Sequence, residues 1–217
     1  MDELDKAYET VDMLKALDLP ISKEQLENIE RLEKECGMGH REDLTLYFYE
    51  QCFANYTKRI TNIRQAKIRG EVIVAKPVLL LAIIDGISSD IFSSNEFCLT
   101  EWLETRYVML MQRYMKSSQF DKPTDIFNPF WHLQSDGFWH LKFAERPKDG
   151  VTPSKHWLKE KVIFAYFDES LWILLQNREW RTKLREYIIE HKLTDDHWRG
   201  KIAAEGLGAI VALLLVA

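Results

Sequence analysis

Apolar residues along the first third of the chain fall at helical spacing. Leu26, Ile29 and Leu32 recur every three residues after Pro20, as one buried face of a helix requires. Ser22 and Gln25 form a capping box at its start, and Ile21 is placed to staple the first turn. Gly37 and Gly39 break the pattern. A further helix is predicted from about Glu42, carrying Tyr47, Phe48, Phe53 and Tyr56 and running on to Gly70. Lys76-Pro77 then opens the segment Val78 to Ile84, apolar on all sides. Proline suits the first turn of a helix, where its missing N–H costs nothing, and an all-apolar helix is a central one. Thr100 to Lys116 reads as another helix, with Trp102, Leu103, Tyr107, Leu110 and Tyr114 facing inward.

The pattern then changes. Lys122-Pro123 and Asn128-Pro129 bracket a loop, and Phe130-Trp131-His132-Leu133 is nearly repeated as Phe138-Trp139-His140-Leu141. Asp136-Gly137 between the two copies is a strong hairpin signal. The expectation is a short β-hairpin at about 130–143. Arg146 to Thr152 is a loop. Two helices follow, one from Ser154 to Tyr166 and one from about Asp168 with Leu171, Leu174, Leu175, Trp180, Leu184 and Ile188 as its apolar stripe. The fold class is therefore mainly α: a helical domain at 70–192 with a small hairpin, preceded by a helical segment at 1–69 and followed by a tail at 193–217.

A chain of 217 residues buries a full core without disulfides or a metal staple. Cys36, Cys52 and Cys98 are odd in number and widely spaced, which suggests reduced thiols and no zinc framework. The opening MDELDKAYET is acidic, unlike a secretory signal. The apolar run Leu207 to Ala217 has eleven residues, about half the helical length that spans a bilayer. A core or partner-docking segment is expected there, with no membrane span and a cytoplasmic protein.

Charge is unevenly placed. The net of −5 hides fourteen acids against six bases in residues 1–50 and a basic excess in the remainder. Lys58, Arg59, Arg64, Lys67, Arg69 and Lys76 face only Glu71. Such a run is ordinarily a solvated helix face, and it also suits a polyanion.

Recognisable catalytic chemistry is missing from the pattern. No phosphate-binding glycine loop, zinc-protease motif or serine elbow occurs. His132 and His140 could face each other across the hairpin, yet no cysteine or acid pair nearby completes a metal set. Asp136 is explained by its turn. No cofactor or metal is expected, and no activity is assigned to this chain alone. Three classes stay open: a DNA-binding module, a non-catalytic protein-interaction subunit using the acidic helices and apolar tail, and an enzyme whose site carries no known motif.

Three segments in order carry a resemblance: AKPVLLLAIIDGI (75–87), FNPFWHLQSDGFWHL (127–141), and the pattern of Ser154, Trp157, Leu158, Val162, Ala165, Phe167, Asp168, Leu171, Leu174 and Leu175. Together they resemble the sulfur-binding domain of McrA-like, HNH-type restriction endonucleases, over about residues 70–192. The resemblance implies a helical domain that binds double-stranded, phosphorothioated DNA in a restriction system; with no nuclease motif in these residues, a free-standing binder, a subunit working with a nuclease partner and a degenerate relative all stay open. It implies a shallow apolar cavity for the sulfur and basic side chains on neighbouring phosphates. Carried over by position, Lys76 is the basic residue before the apolar helix, Pro129 the cavity proline, Asn128 its neighbour, and His132 the next wall position. Lys155 lies near a later basic position. Asn128 stands where many members carry an aromatic, and Ala75 where they carry histidine.

Overall fold

The computed structural model describes residues 2–68, 71–115, 124–145 and 154–194. It is mainly helical, as the patterning requires, with two short antiparallel strand pairs. Helices α1 (Glu3–Ala16) and α2 (Lys23–Cys36) form an antiparallel pair against the first half of α3 (Glu42–Thr61). Ser22 and Gln25 close the expected capping box, and Ile21 is buried. Buried Glu33 joins the three helices: it accepts from the Tyr8 hydroxyl at 2.8 Å and the Arg41 N–H at 3.2 Å, and lies 2.8 Å from His40 Nδ1. Burial raises the Glu33 carboxyl, but these hydrogen bonds outweigh it and hold the group below its ordinary value.

Helix α3 ends at Thr61 instead of running on to Gly70. Beyond it, β1 (Lys67–Ile68) and β2 (Glu71–Val72) pair as a two-residue ribbon. The basic stretch therefore leaves the helix and turns a corner. Helix α4 (Ala75–Ser88) follows, with every residue buried except Lys76 and Ser88. It packs against α5 (Glu101–Tyr114), α6 (Phe127–His132), α8 (Glu169–Gln176) and α9 (Arg178–Ile188), which makes it the central helix.

Gly86 is where α4 meets its neighbours most closely. A Cβ there would lie 2.5 Å from two carbons of the Phe92 ring and 3.0 Å from Trp102. Both rings are already held edge-on to each other. Gly86→Ala is expected to destabilise the fold by about 1.5 kcal/mol through overpacking; urea denaturation measures it as a lower midpoint with an unchanged slope.

The hairpin expected at about 130–143 is a correction. Residues 127–132 are helical (α6), a 3-10 turn covers Leu133–Asp136, and Gly137 ends it at φ 80°. Strand β3 (Trp139–Phe143) pairs not with Phe130 to Leu133 but with β4 (Val162–Phe167), through Trp139↔Phe167, His140↔Tyr166 and Leu141↔Ala165. The reason is burial. Phe130 and Leu133 both point into the core, and their spacing of three is helical. Trp139 is fully enclosed. It stacks on Phe97 at 5.7 Å, meets Phe130 and Phe167 edge-on, and donates its indole N–H to the Phe130 carbonyl at 2.9 Å. That bond welds α6 to β3.

Two more boundaries move. The helix expected over 154–166 is α7 (Lys155–Lys161), capped by Ser154, and then strand β4. The long C-terminal helix is divided at Asn177, whose side chain caps α9 by accepting from the Glu179 and Trp180 N–H groups. A π-helical turn, Ile189–Leu193, completes α9. One continuous core runs from Val11 to Leu193. Cys52 is buried and Cys36 and Cys98 are exposed, all three as free thiols. Among the described residues no helix is long and apolar enough to cross a membrane; the apolar run 207–217 lies outside them, as does the loop 146–152.

Candidate functional site

The second strand pair and the core aromatics fix α6 rigidly, and α6 presents one face outward. Asn128, Pro129 and His132 share that face because residues four apart on a helix superimpose. Across from them lie Arg64, Gln65 and Ala66 after α3, and Ile73 after the ribbon. The first turn of α4 supplies Ala75 and Lys76, and Thr124 and Ser135 close the ends. Together they enclose an open cavity of about 560 Å³. Four of the five site residues expected from sequence therefore meet at one place: Lys76, Asn128, Pro129 and His132.

Lys155 does not line the cavity. It is exposed at the start of α7, 4.5 Å over the Phe127 ring and 3.5 Å from Asp125. Phe127 directly precedes Asn128 and Asp125 lies three positions before it, so Lys155 stands beside the cavity on its outer shoulder.

The apolar part of the wall is Ala66, Ile73, Ala75 and Pro129. Pro129 is buried, packed in the first turn of α6, and not held at an exposed rim after an extended Asn128-Pro129 entry. Asn128 and His132 on either side of it are exposed. Among the described residues the His132 ring makes no hydrogen bond, while its carbonyl accepts from Ser135 Oγ at 2.8 Å.

The cations differ sharply in availability. The Lys76 ammonium donates to Asp136 Oδ2 at 2.6 Å and to Ser135 Oγ at 3.3 Å, and only 11% of its side chain is exposed. Arg59 is bound to Asp168 and the Gly137 carbonyl, both at 3.1 Å. That cluster also holds His140, 2.6 Å from Asp168, and the Tyr56 hydroxyl, pushed up to about 12 by burial above all. Lys192, from the π-helical turn, donates to the Thr61 carbonyl at 2.9 Å; burial lowers its ammonium, and the nearby Asp136 charge opposes that. By contrast Lys58, Arg64 and Lys67 are exposed and form no ion pair among the described residues.

Asp136 escaped the sequence reading except as a turn residue. In the structure its side chain is only 4% exposed, and it also accepts from the Arg64 N–H at 3.1 Å. It thus ties the loop after α3, the first turn of α4 and the 3-10 turn together behind the cavity. Only the tertiary fold brings these segments, up to 72 positions apart, into contact. Among the described residues no group of three or more metal-ligating side chains gathers.

The chemistry available is that of a binding cleft. A partly apolar floor receives a weakly hydrated, polarisable atom at small desolvation cost and penalises a fully hydrated oxygen anion. Exposed cations at its rim attract a polyanion irrespective of sequence.

Comparisons place the fold. The family model of the ScoMcrA-like DNA sulfur-binding domain matches residues 54–207, beginning within α3. The sulfur-binding domain of ScoMcrA, solved with phosphorothioated DNA, is 20% identical with a TM-score of 0.51; the match covers 63% of this chain and 86% of that one. The equivalent domain of SprMcrA, also solved with phosphorothioated DNA, is 14% identical with a TM-score of 0.51, covering 65% and 86%. A longer ScoMcrA structure that includes an SRA domain is 21% identical with a TM-score of 0.50, covering 62% of this chain and 41% of that one. At these identities the likeness is one of fold. No curated protein matches the chain. The family match extends over well more than half of the sequence, and the chain belongs to the ScoMcrA-like DNA sulfur-binding domain family.

Proposed function

We propose that this chain binds double-stranded DNA carrying a phosphorothioate, as the recognition module of a cytoplasmic restriction system in which cleavage is supplied from outside residues 1–217. The observation that carries this reading is the convergence of Asn128, Pro129 and His132 on one face of α6, opposite Lys76 and beneath exposed Arg64. The sulfur rests against the Pro129 side of the cavity, and the neighbouring phosphates meet the rim. Lys155, outside the cavity lining, serves a phosphate further along the backbone. Residues 70–192 form the binding unit, with 1–69 and 193–217 as flanking segments.

A gel shift with two duplexes of one sequence, differing in a single sulfur-for-oxygen replacement, tests it. The sulfur duplex is expected to be retarded at lower protein concentration. Equal retardation of both removes the sulfur and leaves a general DNA binder; retardation of neither removes DNA.

The acidic N-terminal segment supports a second role on the same chain. Met13, Leu17, Leu19, Met38 and Leu46 are each at least 45% exposed there. Large exposed apolar side chains amid acids suit docking to another protein subunit.

A further inference from the structure

We propose that Asp136 sets the DNA affinity of this site by serving as a built-in counter-ion for Lys76. The inference rests on the cavity being a DNA site, and goes beyond it by dividing the cations into those that meet phosphate and one that does not.

Lys76 is a member of the cavity wall, but its charge is already spent. Its ammonium lies 2.6 Å from a carboxylate, and the two side chains are 11% and 4% exposed. The carboxylate cannot swing away freely. It sits in the 3-10 turn Leu133–Asp136 and is held from its other oxygen by the Arg64 N–H. The ammonium donates a further hydrogen bond to Ser135 Oγ. A phosphate approaching Lys76 would therefore have to displace an anion that the fold itself keeps in place.

The consequence is measurable through ions. Each protein cation that neutralises a phosphate releases condensed counterions from the duplex, and the salt dependence of binding steepens by about 0.9 per contact. An ammonium that keeps its internal partner contributes nothing to that slope. Lys76 then shapes the cavity with its aliphatic stem, and contact with phosphate falls to exposed Arg64 on the facing loop, with exposed Lys67 three positions on in β1. The site's affinity for ordinary DNA is held down by one charge, which leaves more of the total binding to whatever the apolar wall recognises.

The test compares the wild type, Asp136→Asn, and the double variant Lys76→Met/Asp136→Asn, on unmodified and phosphorothioated duplexes across a salt series. Asp136→Asn frees the ammonium. Its log–log slope should steepen by about one, with roughly tenfold tighter binding of both duplexes near 0.1 M salt. The double variant removes both charges, leaves none unpaired, and should return to the wild-type slope. Thermal melting by circular dichroism checks folding, and the double variant decides the question by itself. A slope about one unit shallower than wild type there would mean that Lys76 had been meeting a phosphate, and would overturn the proposal. So would an Asp136→Asn protein that folds and keeps the wild-type slope. If the wild type retards no duplex at all, the DNA reading falls and this inference with it; if it retards DNA while the double variant loses a unit of slope, only this inference falls.

Discussion

Replacing Asp85 with alanine is expected to lower the melting temperature by roughly 6–12 °C. Asp85 lies on the buried central helix α4 and is itself almost enclosed. Its Oδ2 accepts from Arg106 Nε at 2.9 Å and Nη2 at 2.5 Å, and its Oδ1 from Arg185 Nε at 2.9 Å. One carboxylate thus joins α4, α5 and α9. Breaking a buried pair from one side costs about 3–5 kcal/mol, because the partner charges lose their counter-ion. Both guanidinium groups are about a third exposed and recover some hydration, so the lower figure of about 3 kcal/mol applies. In a chain of this size each kcal/mol shifts the midpoint by about 2–4 °C. Arg106→Met should cost clearly less, since Arg185 still neutralises Asp85. Calorimetry of the two variants decides; equal losses would show that Arg185 does not neutralise Asp85 and that the Arg106 pair carries the whole effect.

The second large effect concerns recognition. Pro129→Gly removes three ring carbons from the cavity wall. At about 0.8 kcal/mol per buried methylene, the lost contact with a sulfur is at most on the order of 2 kcal/mol, or roughly thirtyfold in affinity. The loss should fall on the sulfur duplex, with little change for the oxygen duplex, because Arg64 and the other rim cations are untouched. Pro129 is packed in the first turn of α6, so a purely structural role is a real competitor: glycine would also loosen that turn. In that case both duplexes weaken together and the protein melts earlier. Parallel titrations with a melting curve separate the two.

The elements legible in the sequence were those whose signals are local. The Ser22–Gln25 box, the Ile21 staple, the Pro77 first turn of α4 and the start of α5 next to Thr100 all lie within a few residues of what they control. The repeat of Phe-Trp-His-Leu misled because period alone does not choose a strand's partner. Strand β3 found β4 more than twenty residues on, and the first copy of the repeat became helix. A signal for β4 was present: five of the six residues Val162 to Phe167 are β-branched or aromatic, Ala165 being the exception, and their burial alternates toward Ala165 and Phe167. The cavity was half legible. Lys76, Asn128, Pro129 and His132 follow from motif position, and the structure brings them together. Arg64, Ile73 and Asp136 join them only because the chain beyond α3 turns a corner that no local pattern announces.

The single rod of α3 has a consequence for how the molecule meets a polyanion. Its twenty residues rise about 30 Å from end to end. Near its start lie the strongly acidic first fifty residues; beyond its end lie Arg64 and Lys67. At physiological ionic strength a charge is felt over about 8 Å, so a duplex in the cavity is shielded from the acids at the far end. In about 0.01 M salt that reach grows to about 30 Å, the length of the rod. The acids then push against the same duplex that the cavity holds, while still turning the approaching molecule cavity-first. A plot of log affinity against log salt therefore flattens at its dilute end, where a body carrying cations alone would continue to climb.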